Sequence, residues 1–200
     1  MPRLKINESP CSAARALDIL GDRWTLLLIR EAVFGTHRFD DFAEHLGIAR
    51  NVLSARLAML VENGILEQEP VDSESRRYGY HLTPMGLDLL PVLVSLMQWG
   101  DRWLQTPASV PLQIVERKTG EKIPDMRPSN KAGKALAFKD LDWMPGPGAD
   151  DPRIAALVAA YESQRSTVPR PVPSAPSIIS AADRPSTNGR VIKRRQTSRL

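Results

Sequence analysis

One segment carries side chains suited to recognition by hydrogen bonding. In NVLSARLAMLVENGILEQEP (51–70), Asn51 and Arg56 are accompanied by the small residues Ser54 and Ala55. Asn and Arg match the edges of adenine and guanine bidentately, and small neighbours let a helix backbone approach the bases. The pattern therefore indicates a surface that could read base pairs. The competing interpretation is an ordinary solvated helix face.

A buried stripe of leucines would position that surface. Leu53, Leu57, Leu60 and Val61 stand at i, i+4, i+7 and i+8, which predicts one apolar side of a helix. With about 100° per residue, the residues on the opposite side are Asn51, Val52, Ala55, Arg56 and Met59. The helix should end at Asn63–Gly64, because both residue types tolerate the left-handed backbone that helix ends often need.

The neighbouring segments supply a scaffold for this helix. The apolar spacing predicts two short helices within 11–35, a third over 38–47, and strands over 65–71 and 77–83. The polar connection 72–76 makes those strands a β-hairpin with a charged tip. Helices followed by a hairpin in this order predict a winged helix-turn-helix. The expected fold class is therefore mainly α with a small antiparallel β-hairpin.

A long helix expected over 84–104 follows the hairpin. Thr83 suits the N-cap, Pro84 suits the first helical position, and Pro91 should kink the helix. The segment is apolar on two sides, so one small domain cannot cover it and a second copy of the chain would. We expect a homodimer, with these residues at its interface: Leu87, Leu90, Val94, Met97 and Trp103.

Composition divides the chain into four parts. We expect an N-terminal arm (1–10), the winged domain (11–106), a small β-rich extension (107–150) and a largely disordered, basic tail rich in Pro, Ser and Ala (151–200). Within that tail, a helix stays open only for RIAALVAAYESQ (153–164). Residues 1–106 hold 11 Lys/Arg and 14 Asp/Glu, a net charge of −3, whereas the remainder holds 16 and 9, a net charge of +7. Any nucleic-acid contact by the winged domain must therefore depend on a local patch.

Several function classes lack their signatures in the sequence. The single cysteine, Cys11, excludes a disulfide framework, and the scattered His37, His45 and His81 have no metal-ligand spacing. No GxSxG, HExxH, P-loop or Gly-rich dinucleotide turn occurs, so we expect no enzyme, metal or cofactor. Without a signal-peptide pattern or an apolar stretch of membrane-spanning length, we expect a soluble cytoplasmic protein with no membrane partner.

Four segments together resemble one family, the HxlR-type bacterial transcription regulators. They are CSAARALDILGDRWTLLLIREAVFG, RFDDFAEHLGIARNVLSARLAMLVENGILEQEP, RRYGYHLTPMG and LLPVLVSLMQWG, within residues 11–104. The resemblance implies a winged-helix homodimer that binds double-stranded operator DNA through a recognition helix over 50–63. The residues it implies at the DNA are Arg38, Arg50, Asn51, Ser54, Ala55, Arg56, Arg76 and Arg77. One departure is Ala49, which stands where many members have a Ser or Thr N-cap.

Two further alternatives remain open from the sequence. Some regulators of this family sense oxidants through a cysteine at the position of Cys11, and the plain alternative is an inert, partly buried helix residue. The resemblance thus adds a small-molecule or oxidant effector to the expected partners. The other alternative concerns the whole domain, because its net charge of −3 suits a winged-helix protein–protein adaptor that does not bind specific DNA.

Overall fold

The computed structural model describes residues 9–70 and 78–167, with side chains to residue 164. Within these residues a two-stranded antiparallel sheet is set among α-helices. The α-helices and strands in chain order are α1 (Ser12–Leu20), α2 (Thr25–Val33), α3 (Phe39–Leu46), α4 (Arg50–Glu62), β1 (Leu66–Pro70), β2 (Tyr78–Leu82), α5 (Pro84–Leu87), α6 (Leu90–Leu104) and α7 (Pro152–Thr167), with a short 3₁₀-helix at Phe138–Asp140 before α7. The predicted fold class, mainly α with an antiparallel hairpin, is confirmed.

A glycine with a left-handed backbone follows each of the helices α3 and α4. Gly47 has a φ of 58° after α3, and Gly64 has a φ of 69° after α4. Asn63 keeps an ordinary φ of −87°, and its side-chain amide donates to the Met59 carbonyl oxygen (2.8 Å) instead. α4 therefore ends at Asn63–Gly64 as predicted, and of these two residues Gly64 has the left-handed backbone.

The leucine stripe of α4 lies at the centre of the core. Leu53, Leu57 and Leu60 are fully buried, and Val61 packs at the margin of the same cluster. Replacing one such leucine with alanine typically costs about 2–5 kcal/mol. Burial of this stripe is what fixes the direction in which the rest of α4 faces.

The base of the hairpin is attached to the start of α3. Leu66 pairs with Leu82 in the β1–β2 register. The Tyr80 N–H donates to the His37 carbonyl oxygen (2.8 Å), and Arg38 forms an isolated antiparallel bridge with Gly79. The hairpin therefore has a third, very short neighbour, which ties it to the helix-turn-helix. Its predicted charged tip (72–76) lies outside the described residues.

The segment 84–104 forms two helices rather than the single kinked helix that we predicted. Thr83 is the N-cap of α5, where its Oγ1 accepts the Gly86 N–H (3.1 Å), as predicted. α5 then ends at Leu87, and α6 begins at Leu90 with Pro91 in its first turn. A proline ring clashes with the carbonyl group four residues earlier, here that of Leu87, so a continuous helix through Pro91 is disfavoured.

Gly86 allows α5 to approach the backbone of the β1 segment. A Cβ added at Gly86 would lie 2.3 Å from the Ile65 carbonyl oxygen and 2.9 Å from Leu82 Cδ2. We expect Gly86→Ala to lower the free energy of unfolding by about 1–3 kcal/mol, the usual cost of overpacking. Gly100→Ala is the matched control, because a Cβ on that α6 glycine meets nothing within 4 Å. Urea unfolding of both variants checks the prediction, and equal stabilities would contradict it.

A buried carboxylate joins α2 to α3. Glu31 accepts hydrogen bonds from Arg30 Nη2 (2.6 Å) and Thr36 Oγ1 (3.3 Å), and its Oε2 lies 3.1 Å from His45 Nδ1. Burial raises the pKa of Glu31, but the hydrogen bonds from Arg30, His45 and Thr36 outweigh that effect and hold the pKa below its ordinary value. Glu31 is therefore charged at neutral pH and stabilises the α2–α3 packing.

The lowered pKa predicts a loss of stability in acid. The contribution of Glu31 is complete above the pKa of an unfolded glutamate and disappears as the pH falls through the lower, folded-state pKa. Glu31→Gln should cost about 1–3 kcal/mol near pH 7 and much less near pH 3. Urea unfolding at the two pH values measures the difference, and an equal cost at both would refute the role of the charge.

The segment after α6 contains less β structure than predicted. Between residues 107 and 150 the structure has isolated bridges at Val115–Lys122 and Ser129–Ala135, with a turn at Gly120, whose φ is 72°. Prolines such as Pro124 lack the N–H that a ladder requires, which limits strand length there. Gln98 of α6 holds this segment, donating to the Pro124 carbonyl oxygen (3.1 Å) and accepting the Met126 N–H (2.7 Å).

The C-terminal part includes a helix at RIAALVAAYESQ (153–164), the stretch of the predicted tail for which the sequence left a helix open. α7 covers 152–167, and its sequence contains four alanines, the strongest helix former. The Arg153 N–H donates to Asp151 Oδ1 (2.9 Å) at its start. Residues 168–200 of the predicted tail lie outside the described residues. Among the described helices, none combines the length and the apolar character needed to cross a membrane.

Candidate nucleic-acid interface

The outward face of α4 is small and polar. Its exposed residues are Arg50, Asn51, Ser54, Ala55, Ala58 and Glu62. This face is rotated from the one that the sequence predicted, because Val52 and Met59 are half-buried and pack against the core cluster. The neighbouring elements thus cover more of α4 than its leucine stripe alone. The smallest exposed side chains on this face are those of Ser54, Ala55 and Ala58. They let another surface approach the helix closely.

Arg50 provides a loosely held positive charge at the start of α4. Its Nη2 donates to Asp40 Oδ1 (2.6 Å), and its guanidinium lies 5.0 Å from the centre of the Phe39 ring. The side chains of Arg50 and Asp40 are 70% and 77% exposed. An ion pair this exposed contributes at most about 1 kcal/mol. Arg50 can therefore exchange Asp40 for another anion at little cost. A second exposed arginine, Arg38, is the N-cap residue of α3, the helix that carries Asp40.

Arg56 has a different environment from Arg50. Its Nη2 donates to Asp22 Oδ2 (2.9 Å), and the two side chains are only 35% and 28% exposed. Asp22 precedes α2, so the guanidinium is held against the α1–α2 junction. The structure therefore does not bring Arg56 onto the exposed face with Asn51 and Ser54, where the sequence interpretation had put it.

The N-terminus of α4 lacks a side-chain cap. Ala49 is the N-cap residue and provides no side-chain hydrogen bond. The first N–H groups of any helix have no partner within the helix and favour negatively charged groups. The absence of a Ser or Thr at Ala49 therefore leaves these donors available to an external acceptor.

Two histidines meet at the base of the wing, which is the hairpin formed by β1 and β2. Arg76 and Arg77 lie outside the described residues. At the base of the wing, His37 stacks on His81 with ring centroids 4.4 Å apart, and His37 Nδ1 lies 3.2 Å from the Tyr80 carbonyl oxygen. Periodicity places His81 on a strand and His37 in a loop, and no signal in the sequence pairs them.

α6 exposes a stripe of large apolar side chains. Val92, Leu96 and Trp99 follow one another at i, i+4 and i+7, and each is about half exposed. Of the residues predicted at a dimer interface, Leu87 and Leu90 are exposed, and Met97 and Trp103 are half-buried. Val94, in contrast, is buried within the protomer. The exposed stripe is thus turned away from Val94 relative to the prediction.

The remaining chemical candidates are unremarkable in their geometry. Cys11 is half-buried at the N-cap of α1, and its N–H donates to Ser9 Oγ (3.3 Å). Within residues 9–70 and 78–167, no group of three His, Cys, Asp or Glu side chains is placed to hold a metal ion.

Comparison with known proteins decides the family. Residues 19–108 match the family model described as HxlR-like helix-turn-helix. The HTH-type transcriptional regulator Rv3095 of Mycobacterium tuberculosis is 42% identical over 137 residues, which cover 68% of this chain and 87% of that protein. The chain belongs to the HxlR-like helix-turn-helix family.

Other members and solved structures agree with this assignment. YvaP, an HTH-type transcriptional regulator of Bacillus subtilis, is 31% identical over 91 residues, 45% of this chain and 84% of that protein. The crystal structure of PA1607, described as a transcription factor, has a TM-score of 0.65 and 36% identity, covering 70% of this chain and 98% of that one. PA1374 from Pseudomonas aeruginosa, described likewise, has a TM-score of 0.53 and 33% identity, covering 73% and 99%.

The family assignment settles the general function. Like its relatives, this HxlR-type protein is a DNA-binding transcription regulator and not an enzyme. The adaptor alternative is therefore set aside. The similarity to Rv3095 also continues past the family match, since 137 aligned residues exceed the 108 that precede its end. At least part of the extension after α6 is thus shared with that relative.

Proposed function

We propose that this HxlR-type regulator binds operator DNA as a homodimer, with the exposed face of α4 in the major groove. The observation that carries the proposal is the combination on α4 of a buried leucine stripe and an outward face of Asn51, Ser54 and Ala55. A helix presented in this way fits the groove, and its Asn can pair bidentately with adenine. Each protomer would read one half-site.

The surrounding residues would fix the position of α4 rather than the sequence read. Arg50, the uncapped N-terminus of α4 and Arg38 suit contacts with phosphate groups, which orient a protein on the duplex. We further propose that the wing arginines, Arg76 and Arg77, reach the backbone or the minor groove. A local patch of this kind is compatible with a winged domain whose net charge is −3.

The exposed stripe on α6 supports a homodimer. Val92, Leu96 and Trp99 form a contiguous apolar face of a kind that usually marks an interaction site. Trp103 continues the stripe one turn after Trp99 at half burial, and Leu87 and Leu90 are exposed near the start of α6. A two-fold dimer would place the two α4 helices on half-sites separated by roughly 34–36 Å, about one DNA turn. The operator should then be an imperfect palindrome.

The proposal also covers the cellular location of the regulator and the effector to which it responds. Because its target is bacterial chromosomal DNA, we place the regulator in the cytoplasm. A small-molecule or oxidant effector stays a prediction, as does a reaction of Cys11.

Selection from genomic DNA tests the proposed function. Sheared fragments retained by the purified protein at about 150 mM salt are sequenced, because non-specific binding weakens strongly as salt rises. We expect a small set of enriched sites, each an imperfect palindrome. Retention without sequence preference, or no retention at all, would overturn the proposal.

A further inference from the structure

We infer that Arg56 is a positioning residue that fixes the orientation of the recognition helix through Asp22, and that it is not a base-reading residue. The inference rests on the proposed function of α4. An arginine in the middle of that helix would otherwise be expected to contact guanine. The structural basis is the half-buried ion pair between Arg56 and Asp22.

Asp22 uses both of its carboxylate oxygens to join two elements. Its Oδ2 accepts from Arg56 Nη2 (2.9 Å), and its Oδ1 accepts from the Trp24 N–H (2.9 Å) just before α2. The Trp24 side chain in turn packs against the core cluster. The middle of α4 is therefore fastened to the start of α2, across 34 positions of sequence. Such a link adds to the restraint that the buried leucine stripe places on the rotation of α4 about its axis.

Releasing Arg56 toward DNA would be unfavourable. If its guanidinium left Asp22, a half-buried carboxylate would lose its charged partner and keep only the hydrogen bond from the Trp24 N–H. Separating a charge pair that is partly withdrawn from water costs more than separating an exposed one. Arg50, whose ion pair with Asp40 is exposed, meets no such penalty. The two arginines of α4 thus have separate roles, Arg50 at a phosphate and Arg56 within the protein.

The assignment concentrates sequence reading on other residues. With Arg56 occupied, the exposed side chains able to donate and accept at base edges on α4 are those of Asn51 and Ser54. Changes at Asn51 should alter which base pair is preferred. Changes at Arg56 should weaken binding to every sequence alike, because they loosen the whole helix.

A set of α4 variants tests the inference on the full-length protein. Affinity is measured for the selected operator and for a panel of operators with single base-pair substitutions. We expect Arg56→Gln and Asp22→Asn each to weaken all duplexes by a common factor of about tenfold, and the double variant to be no weaker than either single variant, as for residues acting as one unit. Arg56→Lys, which keeps the charge, should restore most of the affinity. Arg50→Gln is the matched control, and it should chiefly lower the salt dependence of binding.

The opposite pattern would overturn the assignment. A base-reading Arg56 requires bidentate geometry, so Arg56→Lys would then fail to rescue, and the loss would be confined to one base pair. Unchanged or stronger binding by Asp22→Asn would likewise overturn the assignment, because Arg56 would then not act through Asp22. If Arg56→Gln fails to fold, the binding of Arg56→Lys and Asp22→Asn still distinguishes a positioning role of Arg56 from a base-reading role. A double-mutant cycle on urea unfolding tests the positioning role of Arg56 separately from the proposed sequence-specific DNA binding. The coupling of Asp22 to Arg56 would persist even if the wild type showed no sequence preference.

Discussion

Replacing Ala55 with glutamate is expected to weaken operator binding by at least about 100-fold, because the new carboxylate would face base edges and phosphate groups. Ala55 is exposed on α4 between Asn51 and Ala58, where the proposal requires the closest approach of the helix to DNA. Placing like charges against each other in an interface costs several kcal/mol. Fluorescence anisotropy with a labelled operator duplex measures the loss.

The same substitution elsewhere provides the control for Ala55→Glu. Ala156 is also an exposed helical alanine, but it lies on α7, outside the winged domain. Ala156→Glu should bind the operator as the wild type does, and both variants should keep the wild-type unfolding midpoint in urea. Binding by Ala55→Glu within about threefold of the wild type would show that this face of α4 does not approach DNA; each tenfold change corresponds to about 1.4 kcal/mol.

Replacing Trp99 with glutamate should convert the regulator into a monomer. Trp99 is 52% exposed and lies on the apolar stripe with Val92 and Leu96. A charged side chain there would have to be desolvated against the partner copy. Because two linked half-site contacts gain about 10²–10⁴ in avidity, the monomer should lose operator affinity by a factor in that range. Sedimentation equilibrium and operator titration measure the two effects.

Trp143 offers a matched control for the dimer prediction. It is 61% exposed, but it belongs to the segment after α6 and not to the apolar stripe. Trp143→Glu should leave both the mass in solution and the operator affinity unchanged. A dimer that persists in Trp99→Glu would move the interface away from the stripe, and a monomeric wild type would exclude the homodimer altogether.

Local rules were sufficient to predict the scaffold of the site. The spacing of Leu53, Leu57 and Leu60 predicts the buried side of α4, and the left-handed turn at Gly64 follows from the tolerance of glycine for positive φ. Thr83 followed by proline predicts the start of α5. Each of these features depends on residues within about two helical turns, which a single sequence contains in full.

Tertiary contacts explain what the sequence did not predict. The exposed face of α4 is rotated because neighbouring elements cover Val52 and Met59 as well as the leucine stripe. The partner of Arg56 lies 34 positions away, where no periodicity connects the two residues. The break between α5 and α6 was predicted only as a kink, because the sequence shows Pro91 but not how far the chain turns there.

Methylation interference on a selected operator tests most directly that α4 reads the major groove as part of a dimer. Methyl groups at guanine N7 project into the major groove and would block the approach of the helix. We expect two clusters of interfering guanines with centres about one DNA turn apart, related by the two-fold symmetry of the site. Interference from methyl groups in the minor groove alone, or a single cluster in the major groove, would contradict it.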